Sequence, residues 1–111
     1  MKYRVQYMPK ALEDLDKIWD DVAEVSGSFD VAEQYIQGLT KAVRERSSFP
    51  KAGIPLLGPD GRIILYSVNF KAYKAFYCIL SDSIAVVRVL YAASDYMKVL
   101  FPSTSDEDEH L

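Results

Sequence analysis

The chain has 111 residues and a mass of 12.6 kDa, half of it hydrophobic, with a formal net charge of −3. That is enough apolar material for one core without disulfides or metal, and too little for a second domain. The lone cysteine, Cys78, cannot close a disulfide and is expected in the core. No stretch approaches the roughly 20 apolar residues of a membrane helix, and Met1 to Tyr7 lacks a signal-peptide core, so cytoplasmic residence is expected.

Lys2 to Tyr7 alternates strictly, Tyr3, Val5 and Tyr7 against Lys2, Arg4 and Gln6, which predicts a half-buried first strand. Pro9 suits a first helical turn, and Leu12, Leu15, Ile18, Trp19, Val22 and Val25 follow the spacing of an amphipathic helix. Gly27 supplies its stop. Ser28 is a candidate N-cap for a second helix, with Asp30 and Glu33 in its first turn and an apolar face of Ala32, Tyr35, Ile36, Leu39, Ala42 and Val43. Gly38 within it is expected to mark close packing against the first helix. The short connection Ser26-Gly27-Ser28 forces the two helices antiparallel.

Pro50 ends the second helix, and a Pro- and Gly-rich connection is expected to run to Gly61. Arg62 to Ser67, Tyr73 to Leu80 and Ile84 to Tyr91 are dense in Ile, Val, Tyr and Phe and read as three strands. Ser81-Asp82-Ser83 breaks the last two into an antiparallel hairpin. In the last strand, Ile84, Val86, Arg88 and Leu90 are expected on one face, and Ala85, Val87, Val89 and Tyr91 on the other. Ser94 is a candidate cap for a short final helix stopped by Pro102. The expected fold is α+β: an N-terminal strand, an antiparallel helix hairpin, a three-strand antiparallel meander forming one sheet, and a short C-terminal helix. Residues 1–102 form the domain, and the acidic segment 103–111 is expected to be disordered.

Charge is unevenly spread. Lys10 to Ser26 holds six acids against two lysines, whereas Lys41 to Val99 holds nine Lys or Arg against four acids. A local positive face could therefore steer a polyanion even though the whole chain is acidic.

Several local phrases sit on this order of elements: Tyr3-Arg4-Val5 in the first strand, Pro9 with Ala11 and Asp14-Leu15 opening the helix, and Ser26-Gly27 at the turn. Phe49-Pro50 with Gly53 and Pro55 follows, then Phe76-Tyr77, then Arg88-Val89-Leu90-Tyr91 with Asp95. Together, over about residues 2 to 101, they resemble the RelE/ParE toxin family of bacterial type II toxin–antitoxin systems, the plasmid stabilisation family. The resemblance implies a growth-inhibiting toxin held by a cognate antitoxin in a hetero-oligomer; the residues themselves suggest no cofactor or metal. It also implies one of two actions: binding DNA gyrase, as ParE-like members do, or ribosome-dependent mRNA cleavage, as RelE-like members do. An inactive family member is the third reading.

The only histidine, His110, lies in the tail, which removes Ser-His-Asp and Cys-His catalysis and His-containing zinc sites from the domain. A metal-independent endoribonuclease would have to use Lys, Arg and Tyr. The candidates are Arg62, Lys74, Arg88 and Tyr91, with Lys71 beside them. Each has a structural reading too: Lys71 and Lys74 as solvated or antitoxin-facing lysines, Arg62 as a strand start. Arg88 interrupts an apolar strand, so it is either a cleft residue or half of an ion pair with Asp95 or a helix-one acid. Tyr91 stands where many relatives have His, and Ala92, Ala93 and Ser94 stand where many carry arginine. That departure favours the ParE-like, non-nucleolytic reading. All of this presumes a helix pair shielding one side of the sheet and a basic hollow on the other.

Overall fold

The computed structural model describes residues 3–102; the acidic segment and His110 lie outside them. Chain order is β1 (Arg4–Tyr7), α1 (Pro9–Ser26), α2 (Phe29–Arg46), a 3-10 turn at Pro50–Ala52, β2 (Ile54–Leu57), β3 (Ile63–Phe70), β4 (Tyr73–Ile79), β5 (Ser83–Tyr91) and α3 (Tyr96–Leu100). The strands form one mixed sheet in the order β1-β5-β4-β3-β2, with β1 parallel to β5 and the other pairs antiparallel. Among the described residues no helix is long and apolar enough to cross a membrane.

The helix hairpin forms as its punctuation dictates. Pro9 stands at the start of α1, and Gly27 takes the left-handed conformation (φ 69°) with its N–H bonded to the Ala23 carbonyl. Ser28 caps α2 by accepting from the Val31 N–H at 3.2 Å. Trp19 stacks on Phe29 at 5.2 Å between ring centroids, bracing the turn. The pair covers one face of the sheet, where Ala11, Ile18, Leu39 and Val43 meet Val68, Ala75, Tyr77, Ile84, Val86 and Val89.

Cys78, expected in the core, is only half-buried, and five expectations about the elements need correction. On α1 the expected Leu15, Ile18 and Val22 do pack on the core, joined by the small Ala11, but Leu12 is half exposed and Val25 is 90% exposed. Gly38 does not mark contact with α1. A Cβ there would lie 2.6 Å from the Phe70 ring, so it opens space for β3. The connection after Pro50 contains β2, an edge strand whose Pro55 hides its alternation; an edge tolerates the missing N–H. Ser94 does not cap α3, since its hydroxyl donates to the Tyr91 carbonyl at 2.6 Å and Asp95 occupies the cap position.

The fifth concerns β5. Phe76 lies opposite Arg88 but Tyr77 lies opposite Val86, leaving Val87 as a bulge. The bulge resets the alternation, so Val89 joins Ile84 and Val86 in the core, and Arg88 falls opposite Phe76 on the far face. Phe76 is covered there by Tyr96 of α3, 5.1 Å away.

Candidate functional site

β1 leaves the sheet after Tyr7, which pairs with Val86, so the second half of β5 has an open edge on that side. Its outward Val89 N–H would be an orphan. Asp14, one turn into α1, fills the gap: one carboxylate oxygen accepts from the Val89 N–H at 2.9 Å and from Arg88 Nε at 2.8 Å, and the other from Arg88 Nη2 at 2.9 Å. The Arg88 and Asp14 side chains are only 26% and 13% exposed. This two-pronged contact raises the Arg88 pKa further, against burial, and keeps the group charged. Of the five N–H groups a guanidinium carries, two are spent on Asp14, and the pair is electrically neutral.

A cleft of about 460 Å³ opens beside this pair, lined also by Lys17, Asp21, Tyr73 and Tyr91. Tyr91 is 52% exposed, its ring edge-on to Tyr73 at 5.8 Å. Burial, then the neighbouring Tyr35, Asp21 and Tyr91, raise the Tyr73 pKa above 10.0. At neutral pH that phenol is a proton donor and not a base.

The other candidates lie elsewhere. Arg62 sits on the exposed turn before β3, with Nε 3.5 Å from Asp60. Lys74 donates to the Asn69 side chain at 2.8 Å, across the β3–β4 hairpin. Lys71, at the hairpin turn with φ 50°, holds its ammonium 5.1 Å over the Tyr35 ring. Of Arg62, Lys74, Arg88 and Tyr91, only Arg88 and Tyr91 line a common cleft.

The hollow on the far side of the sheet is not basic. It is an apolar groove of about 580 Å³ walled by Met8, Ile64, Leu65, Val87, Val99 and Phe101, with Lys10 and Arg88 at its margin. A third cleft, about 550 Å³, runs beside the helix hairpin past Val22, Val25, Val31, Tyr35 and Tyr73. Among the described residues no group of His, Cys, Asp and Glu is placed to hold a metal ion. The residue that sequence reasoning underused is Asp14. It stands in the Asp14-Leu15 phrase of the resemblance, but as an ion-pair partner of Arg88 it was only one of several helix-one acids, and its role depends on where β1 stops.

Comparison with known proteins accords with this geometry. Residues 5–96 match the family described as ParE toxin of type II toxin-antitoxin system, parDE. Among solved structures, the chain is similar to one from the chromosomal ParDE system of P. aeruginosa, with TM-score 0.65 and 17% identity over 81% of this chain and 96% of that one. It is similar also to one from the RelBE2 toxin–antitoxin complex of Mycobacterium tuberculosis, with TM-score 0.54 and 20% identity over 82% and 99% of the two chains. No curated protein sequence matches significantly. The family match spans most of the domain, so the chain belongs to the ParE family and is the toxin of a type II toxin–antitoxin system.

Proposed function

We propose that this toxin arrests growth in the cytoplasm by binding a macromolecular target, DNA gyrase being the one its family suggests, and that a cognate antitoxin neutralises it as a hetero-oligomer. The carrying observation is the Asp14–Arg88 pair, which neutralises the one arginine that lines the cleft beside Tyr91. A metal-independent nuclease needs free cations to stabilise the charge building on phosphorus, and losing one such donor costs about 100 to 1,000 fold. Ala92, Ala93 and Ser94 bring no replacement, which leaves Lys17 as the cleft's one cation without a carboxylate partner among the described residues. The apolar cleft beside the hairpin, with Val25 and Val31 exposed along it, suits an amphipathic antitoxin helix.

The test is parallel incubation of purified toxin with gyrase and relaxed plasmid, and with translating ribosomes. Blocked supercoiling with intact message is the expected result, relieved by the antitoxin. Site-specific mRNA cuts would replace this reading with the endonuclease one. Unimpaired growth on expression without antitoxin would mark an inactive member.

A further inference from the structure

The last two turns of α2 carry Lys41, Arg44 and Arg46, and Lys51 follows in the 3-10 turn, with Glu45 the sole acid from Lys41 to Lys51. Cations at a helix C-terminus suit the macrodipole, which accounts for Arg44 and Arg46 but not for Lys51 beyond the helix. Among the described residues none of these four has a carboxylate within 4.0 Å, although five other cations do. Between them stands Phe49, 73% exposed. Its segment is ordered by backbone bonds from Phe49 N–H to the Arg46 carbonyl at 3.0 Å and from Ala52 N–H to the Phe49 carbonyl at 2.9 Å. The ring is therefore held in water on a fixed turn.

Cations without an ion pair among the described residues, on either side of an exposed aromatic along the chain, are the parts of a single-strand nucleic-acid surface: the cations meet phosphates and the ring stacks on a base. An acidic peptide would use the charges but leave the ring idle. Arg46 contributes field more than contact, because it is half buried and its Nε is enclosed without an acceptor. We infer that the C-terminal end of α2 is a docking surface for a single-stranded nucleic-acid segment, with Lys41, Arg44 and Lys51 on phosphates and Phe49 on a base. The surface is non-catalytic and does not depend on which target the toxin inhibits.

The test is fluorescence anisotropy of the full chain with labelled oligothymidylate, oligouridylate and a duplex, each of about 12 nucleotides, from about 50 to about 200 mM salt. Three phosphate contacts predict a log–log salt slope of about −2 for single strands. Lys41→Gln, Arg44→Gln and Lys51→Gln together should lower affinity at least about tenfold and flatten the slope. Phe49→Ala should weaken single strands about fivefold or more with the slope unchanged. Circular dichroism should show the helices intact in both. A preference for thymidylate or uridylate supports the proposal and assigns the strand to DNA or RNA. No saturable binding at the lowest salt, an unaltered triple variant, or polyglutamate competing as well as the oligonucleotide would overturn it. So would duplex binding as tight as single-strand binding, with Phe49→Ala neutral. Failure of gyrase inhibition would leave this result untouched, and the converse holds.

Discussion

Cations gather in two regions of this toxin, and they are treated in opposite ways. Around the meander each is committed: Arg88 to Asp14, Arg62 to Asp60, Lys74 to Asn69, and Lys71 to the Tyr35 ring. At the end of α2, Lys41, Arg44, Arg46 and Lys51 make no ion pair among the described residues. A guanidinium drawn into the structure must be matched, and once matched it serves the fold more than a ligand. Cations left in water cost the fold little and stay available. Position on the expected binding face is thus a poorer guide to function than what each charge already touches.

The sharpest way to break the contrast is at Asp14. Asp14→Ala strands a largely buried guanidinium and the Val89 N–H together, and the expected loss is about 3 kcal/mol, the lower end for breaking a buried pair because both side chains keep some solvent. Urea unfolding would measure it. A loss below about 1 kcal/mol would place the pair in the class of surface bridges and return Arg88 to the list of available cations. Arg88→Met should cost less than Asp14→Ala, since the carboxylate keeps its Val89 partner.

A second effect comes from the core beneath α2. Burial pushes Tyr77 up to about 12, against the pull of Arg46. The unfolded chain releases the same proton near pH 10, so the unfolded state is favoured progressively above that pH. Stability should fall by about 1.4 kcal/mol per pH unit between pH 10 and 12 on account of Tyr77. Tyr7, also pushed to about 12 by burial, adds a fall of the same sign. Tyr77→Phe should flatten part of that slope at the expense of the hydrogen bond to the Pro50 carbonyl. An unchanged slope would mean that the hydroxyl is hydrated.

Somewhat smaller is Gly53→Ala. A Cβ there would come 2.1 Å from the Tyr77 oxygen and 3.1 Å from the Ser67 carbonyl. The phenol is fixed by its bond to Pro50 and cannot swing away freely, so a loss of about 1 to 3 kcal/mol is expected from overpacking. Thermal melts would detect it. A neutral result would show that the tyrosine shifts at little cost.

Much of this architecture was legible because short-range physics wrote it. Pro9, Gly27 and Ser28 mark the helix hairpin by backbone rules that hold locally, and the strands from Arg62 onward carry their own composition. What escaped was decided at long range. The Val87 bulge depends on the partner strand, and it moved Arg88 and Val89 to faces that simple alternation reversed. β2 was hidden by Pro55, which only an edge position permits. Asp14 became decisive because β1 ends at Tyr7, opposite Val86, while β5 runs on to Tyr91, and nothing in α1 records where β1 ends. The resemblance to a toxin family rested on phrases spread over the whole domain, which is why it survived these local errors.

The smallest expected effects separate the regions in another way. Arg62 is paired but its side chain is 86% exposed, so Arg62→Gln should change stability by less than about 0.5 kcal/mol. Arg44 is unpaired among the described residues but sits in the last turn of α2, where a cation faces the negative end of the helix dipole. Arg44→Gln should therefore cost about 0.3 to 1 kcal/mol, shrinking as salt screens the dipole. The residue without a carboxylate would then matter more to the fold than the one with it, because a solvated ion pair is worth less than a well-placed charge on a helix end. Urea titrations of both variants at low and high salt decide the matter. Were Arg62→Gln the costlier, its bond to Asp60 would have to be holding the β2–β3 turn, and the meander's exposed cations would count as structural in the same sense as Arg88.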